Sequence, residues 1–300
     1  MERRNFLKNT SLLIGSLALL DLKSIASIFE GNYTVRMLTK DTGIFLEKGG
    51  TILFQINKSG IIIVDAQFPD TAPHLIEELK KRSSYPLRLL INTHHHGDHS
   101  SGNIAFKGLV PHVLAHENSR GNQEKVAIAA GKESSQLYPD QTYTVDWCEK
   151  FGKEKVCLYY FGAAHTNGDS LVHFKKAGII HLGDLVFNRR HPYIDKTAGA
   201  DIKNWIKVLE RTAQEFSDEV RFVCGHAGEG HDVVLGKADI SAFRDYLVNL
   251  LKFTEAEIKA GKTKDEILKA TGIPGSPEWS GEGIERPLAA AYSELTANFK

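Results

Sequence analysis

Thr93-His94-His95-His96-Gly97-Asp98-His99-Ser100-Ser101-Gly102 places four histidines and an aspartate within six positions. The run Leu87 to Ile91 in front of it reads as a buried β-strand, so the cluster opens where the strand ends and the chain turns. At such a turn His94 and His96, two apart, can point to one side and bind one ion. Asp98 and His99 swing past it toward a second. Imidazole nitrogen and carboxylate oxygen are the ligands preferred by zinc and its first-row neighbours. A histidine-rich surface loop would lack the apolar strand before the cluster and the Gly-Asp-His-Ser-Ser-Gly that closes it. His95 is out of phase with its neighbours and stays outside the ligand set.

Upstream, Val35 to Leu38, Ile44 to Leu46, Thr51 to Ile56 and Ile61 to Val64 are short β-rich runs. Asp-Thr-Gly, Lys-Gly-Gly and Lys-Ser-Gly turns separate them, which predicts an antiparallel meander. Pro73 sits in the first turn of a helix through Arg82, with Leu75, Ile76 and Leu79 on one face. Downstream, Ser100 to Phe106 and Glu117 to Ala130 read as helices around a strand Val113 to Ala115. Strands follow at Gln141 to Val145, Val156 to Phe161, Ser170 to Phe174 and Ile179 to Leu182, then a helix Asp201 to Phe216 and a strand Arg221 to Cys224. Beyond Gly236, Ile240, Phe243, Leu247, Leu250, Leu251 and Ile258 mark an amphipathic helix that stops at Gly261. Thr263 to Glu266 is a capping box, and a last helix runs from Ile284 to Asn298. This tail is expected to pack on the body, wall a cleft or make a dimer contact.

The pattern His94-X-His96-X-Asp98-His99 resembles the signature of the metallo-β-lactamase superfamily, and further segments resemble the rest of its ligand set in order. Phe161-Gly-Ala-Ala-His165 resembles the carrier of the third histidine of the first metal, Ile180-His-Leu-Gly-Asp184 that of the bridging aspartate, and Val223-Cys-Gly-His226 that of the last ligand. The resemblance implies an α/β four-layer αββα sandwich over residues 33–236 with a helical extension over 237–300. It implies two metal ions per chain, zinc first and iron or manganese as alternatives, held by His94, His96, Asp98, His99, His165, Asp184 and His226. Asp98 would also act in catalysis, and Asp65 would support the metal loop from beneath. The expected chemistry is hydrolysis of an ester, lactone, thioester or amide bond of a small molecule. Asp184 resembles the glyoxalase-II-like and lactonase-like branches. Main-role β-lactam cleavage is disfavoured, because the β-lactamases place a cysteine or serine there, and Phe187 stands where one subclass has a lysine. Arg189, Arg190 or His191 would meet an anionic group of the substrate, and Tyr193 would donate to developing negative charge. The alternatives are β-lactamase activity, a mononuclear iron oxygenase of the same fold acting on persulfides, and a non-catalytic metal-binding protein. A glutamate in place of His96 would have pointed to a flavin-linked di-iron protein. His74, His112, His116, His173, His181 and His231 read as surface or packed residues.

With 37 basic and 37 acidic residues the formal charge is zero, which offers no electrostatic footprint for nucleic acid. The hydrophobic content, 42% of 300 residues, suffices for one large core. Three cysteines, Cys148, Cys157 and Cys224, leave no complete disulfide framework, and the last two read as core residues. Residues 1–26 are expected to be an export signal. Arg3-Arg4-Asn5-Phe6-Leu7-Lys8 resembles the twin-arginine motif, and the apolar stretch Ser11 to Leu20 is too short for a bilayer core that needs ~20 helical residues. Cleavage after Ala26 and a bacterial periplasmic destination follow, with no membrane span in the mature chain.

Overall fold

The structure, a computed structural model, describes residues 33–297; the export signal expected over 1–26 lies outside them. Among the described residues thirteen strands form two sheets. The first contains β1 (Thr34–Met37), β2 (Thr42–Leu46), β3 (Ile52–Asn57), β4 (Gly60–Val64), β5 (Leu87–Ile91), β6 (Val113–His116) and β7 (Gln141–Tyr143), side by side in chain order. β2, β3 and β4 pair antiparallel as the turn signals imply, whereas β4 to β7 pair parallel. Parallel pairing needs crossovers. Helices α1 (Ala72–Arg82), α2 (Gly97–Ser100) and α3 (Glu117–Ala130) supply them, and a 3-10 turn over Ser101–Phe106 stands where the sequence predicts a helix.

The second sheet runs β13 (Val234–Leu235), β12 (Arg221–Ala227), β11 (Ile179–Asn188), β10 (Leu171–Phe174), β9 (Glu154–Tyr159) and β8 (Asp146–Phe151). β11 and β12 are parallel, joined over α4 (Ile202–Glu215), and the other pairs are antiparallel. The tail holds α5 (Lys237–Lys259), α6 (Lys264–Ile267, capped by the Thr263 and Glu266 box) and α7 (Glu285–Thr296). None of the described helices is long and apolar enough to cross a membrane.

Strand alternation explains the layering. Leu53, Ile62, Val64, Leu89 and Ile91 of the first sheet meet Val156, Leu158, Val172, Phe174 and Val223 of the second in one buried cluster. Their neighbours Phe54, Ile61, Ile63 and Leu90 point the other way and are buried too, as strands covered on both faces must be. A second cluster joins β11 and β12 to α4, α5 and the tail through Leu182, Val186, Trp205, Phe243, Tyr246 and Trp279. The result is the helix-sheet-sheet-helix sandwich with a C-terminal helical extension.

The structure corrects the sequence reading in two places. Cys148 and Cys157 form a disulfide across β8 and β9, where they face each other in register; Cys224 stays reduced and buried. The odd count concealed this because β8, largely exposed and with charged residues at half of its positions, carries no clean apolar strand signal. β11 also continues to Asn188 rather than ending at Leu182, and β12 to Ala227 rather than Cys224. Gly183 takes φ +51° at a register shift, after which pairing to β12 resumes. Asp184 and His226 therefore lie within an irregular stretch of ladder, not beyond its end.

Candidate metal centre

The site forms where β5, the loop after β9, β11 and β12 all reach one edge of the sandwich. β5 delivers Thr93 to His96, and the single turn α2 delivers Asp98 and His99. His165 comes from the loop between β9 and β10, Asp184 from β11 and His226 from β12. His94, His99, His165 and Asp184 are almost completely buried. Asp98 and His226 keep 30% and 11% of their side chains exposed, so they form the wet side.

In the first half of the site, His94 Nε2 lies 3.0 Å and His165 Nε2 2.9 Å from His96 Nδ1. The opposite nitrogens decide the protonation. His165 Nδ1 lies 2.8 Å from the Tyr193 carbonyl oxygen and His96 Nε2 3.0 Å from Asp195 Oδ2, both acceptors without protons. His94 Nδ1 lies 3.0 Å from Thr93 Oγ1, whose own proton goes to Asp65 Oδ2 at 2.8 Å. Each outer nitrogen therefore donates, which leaves the three inner nitrogens as bare lone pairs converging on one point. Lone pairs crowded in this way repel unless a cation sits among them. Burial, followed by the neighbouring histidines, also keeps two of these rings neutral: burial and then His99 push His94 well below the ordinary value, and burial and then His96 push His165 down to about 3.

Asp184 joins the two halves. Its Oδ2 lies 3.5 Å from His165 Nε2 and 3.9 Å from His94 Nε2, and its Oδ1 lies 3.1 Å from His99 Nε2 and 3.6 Å from His226 Nε2. Oδ1 is buried without a hydrogen bond of acceptable geometry. An anionic oxygen left so costs several kcal/mol unless a cation covers it. Asp98 Oδ2 completes the second half, 3.0 Å from His226 Nε2 and 3.7 Å from His99 Nε2. Burial pushes the Asp98 carboxyl up, but the hydrogen bond from His226 and the charge of His99 outweigh it and hold it at about 2. Burial likewise pushes His99 down, yet Asp184 and Asp65 outweigh it and raise it well above normal. A field that binds a proton so readily favours a metal cation at the same nitrogen. The donor set thus fits two ions, one among His94, His96, His165 and Asp184, the other among Asp98, His99, His226 and Asp184.

The support beneath is built from small, buried groups. Asp65, held at φ +68° and fully buried, accepts from Thr93 N, Thr93 Oγ1 and His99 Nδ1 at 2.8 Å each. Left-handed backbone at a non-glycine residue costs about 1 kcal/mol or more and is kept where the surroundings enforce it. Gly225 is required by contact: a Cβ there would lie 2.0 Å from Asp184 Oδ1.

A cleft of about 370 Å³ opens over the site, lined by Asp98, Asp184, Phe187, His226, Arg190 and Tyr193, among others. Tyr193 is 46% exposed, and its ring packs on His96 at 5.4 Å. Burial and then Asp195 raise its hydroxyl pKa, so it stays a donor. Arg189 turns elsewhere: its guanidinium bonds Asp239 at 2.7 Å and Glu278 at 3.2 Å and lies over the Trp279 ring. It is a tie to the extension and does not line the cleft over the metal centre. His191 lines the cleft while its Nδ1 bonds the Tyr246 hydroxyl.

Sequence reasoning missed Asp195 and the contribution of Glu282, Gly283 and Arg286 to the cleft wall. Asp195 caps the 3-10 turn over Lys196–Ala198 with Oδ1 and holds His96 with Oδ2; His95 Nε2 stands 3.5 Å away. His95 and His96 both pointing at one carboxylate is invisible without the fold. A hint lay in Asp195 standing two residues beyond Tyr193, a position already expected to meet the substrate. His116 and His181 are packed residues with local duties: the first caps α3, and the second bonds the Thr51 carbonyl.

A family model for the metallo-β-lactamase superfamily matches residues 48–226. A metallo-β-lactamase of Chryseobacterium indologenes is 23% identical over 201 residues, covering 64% of this chain and 80% of that protein. A probable hydroxyacylglutathione hydrolase of Schizosaccharomyces pombe is 25% identical over 143 residues, 46% of this chain and 48% of that one. Among solved structures, a metallo-β-lactamase from Pontibacter korlensis aligns at TM-score 0.62 and 22% identity, over 73% of this chain and 100% of that chain. An inverting sec-alkylsulfatase from Pseudomonas sp. aligns at TM-score 0.71 and 13% identity, over 89% of this chain and 52% of that chain. At such identities the structural likeness speaks for the fold.

Proposed function

The chain belongs to the metallo-β-lactamase superfamily and is a hydrolase; on that premise we propose that it holds two zinc ions and cleaves an ester, lactone or thioester bond of a small molecule. The observation that carries the reading is the convergence of three unprotonated imidazole nitrogens beside a carboxylate whose two oxygens face opposite halves of the site. Asp184 is central to the choice of bond. A carboxylate spanning both halves supports thioester or lactone opening over β-lactam cleavage as the main role, with β-lactams as slow substrates.

Zinc in these positions would lower the pKa of a water to about 7 and polarise the scissile carbonyl. The chain's own groups do the rest. Asp98 stays ionised at neutral pH and faces the cleft, so it orients the attacking water and takes up its proton. Tyr193, protonated and exposed at the rim, donates a hydrogen bond to the oxygen that gains charge. Phe187 stacks on His226 at 5.7 Å and keeps water from that side of the ring. Asp195, Asp65 and the Tyr193 carbonyl fix ring orientation and tautomer, so no group has to reorganise as the bond breaks.

We further propose a periplasmic home, supported by the Arg3-Arg4 motif and by the Cys148–Cys157 disulfide, a bond typical of oxidising compartments. The test of function is a panel of thioester, lactone, ester, β-lactam and phosphodiester substrates assayed with the zinc-loaded protein and with Asp98→Ala, His96→Ala and Asp184→Ala. Turnover of a thioester, ester or lactone that chelator removes and zinc restores is expected, with each variant losing it. Oxygen consumption with one iron per chain would instead place the protein in the oxygenase branch.

A further inference from the structure

The extension beyond residue 236 is more than packing, because it supplies one side of the cleft. Trp279 anchors it: the indole Nε1 donates to the Phe187 carbonyl at 3.3 Å, and the ring stacks on Tyr246 at 5.0 Å. From that anchor Glu282, Gly283 and Arg286 reach the cleft, Arg286 from the first turn of α7. Beside that anchor, β11 ends at Asn188 and runs on into Arg189-Arg190. Arg189 sits at φ +53°, and the segment is clamped because Gly228 N donates to the Asn188 carbonyl at 2.7 Å and a Cβ on Gly228 would meet the Arg189 carbonyl at 2.4 Å. With Arg189 pinned to Asp239 and Glu278, this turn presents Arg190 to the cleft.

The two arginines have different fates. Arg189 spends its guanidinium on two carboxylates and an indole face, whereas Arg190 is exposed and forms no ion pair or hydrogen bond among the described residues. Arg286 has one loose partner, Glu285 at 3.8 Å, and 68% of its side chain is exposed. Of the acidic groups on the cleft, Asp98 and Asp184 belong to the metal centre, which leaves Glu282 as the local counter-charge. Resting on the hydrolase reading, we propose that Arg190 and Arg286 select substrates that carry a carboxylate or equivalent oxyanion beside the scissile bond. A guanidinium binds such a group through two parallel hydrogen bonds and tolerates no neutral isostere equally well. The reacting carbonyl then lies over the metal centre while the anion points to the rim, so these are residues of specificity and not of bond cleavage.

The experiment pairs neutral and anionic versions of one ester, p-nitrophenyl butyrate and mono-p-nitrophenyl glutarate, on zinc-loaded wild type, Arg190→Ala, Arg286→Ala and the double variant. Wild type should favour the glutarate ester, and each variant should lose roughly 10- to 100-fold of that preference, chiefly through KM. Added salt should erode the preference as well, since both arginines are exposed. Turnover of both esters without a preference, or variants that slow both equally, would overturn the assignment while leaving the hydrolase reading intact. Turnover of neither ester counts against ester cleavage at this centre and leaves lactone or thioester opening to the substrate panel. The arginine pair is then decided by calorimetric binding of butanesulfonate to the metal-free protein: tenfold weaker binding by the double variant supports it, and equal binding overturns it.

Discussion

At the scale of single residues, the site depends on groups that never touch a substrate. Asp195 is the acceptor for His96 Nε2, and its carboxyl lies far below the usual range because the hydrogen bonds from His95 and His96 outweigh burial. Asp195→Ala should weaken zinc binding about 10- to 100-fold while far-UV circular dichroism stays native; chelator competition measures it. Gly225→Ala should cost the second ion in particular, because its Cβ would displace Asp184 Oδ1, and zinc content should fall from two toward one per chain. His173 offers a test of stability. It is buried, with Nδ1 unpartnered, against Phe216 and Tyr159, and burial and then Lys175 push it down to about 4. The unfolded chain takes up this proton below about 6.5 and the folded chain resists until about 4, so the contribution of His173 to stability falls as pH drops through that window, by at most about 3 kcal/mol. His173→Phe should therefore flatten the dependence of Tm on pH between 6.5 and 4; an unchanged slope would refute the assignment. At this scale the sequence was readable where ligands cluster locally, as at His94 to His99. Asp195 was not readable, because its partners lie 99 positions away.

At the scale of elements, boundaries failed where geometry is irregular. A strand whose alternation is broken by Gly183 looks finished at Leu182, yet the ladder to β12 restarts and carries Asp184 and His226 with it. β8 was missed because its exposed, charged face lacks an apolar rhythm, and with it went the disulfide that its register to β9 makes. Cys148→Ser should lower stability by about 2–3 kcal/mol, the chain-entropy value for so short a loop, without changing metal content. The hairpin lies at the sheet edge that β8 forms, opposite the β13 edge. Trp279→Ala should cost about 3–5 kcal/mol and loosen the cleft wall, seen as a lowered Tm together with a raised KM.

At the scale of the molecule, the order of strands and helices and the ligand segments in sequence were enough to point to the four-layer sandwich. What they could not convey was which of its expected roles the tail after residue 236 takes, since Trp279 finds its seat on β11, beside the cleft, through contacts some 92 positions apart. Neutral charge overall also hid a local pattern, two arginines and three acidic groups gathered on one cleft. The central claim is that seven side chains from five segments hold two metal ions. Mass-spectrometric metal content of the purified chain, beside Asp184→Ala prepared identically, tests it most directly. Two zinc per chain in the wild type and at most one in the variant is the expected result. One metal per chain in both would contradict the bridging role of Asp184 and the two-ion centre with it.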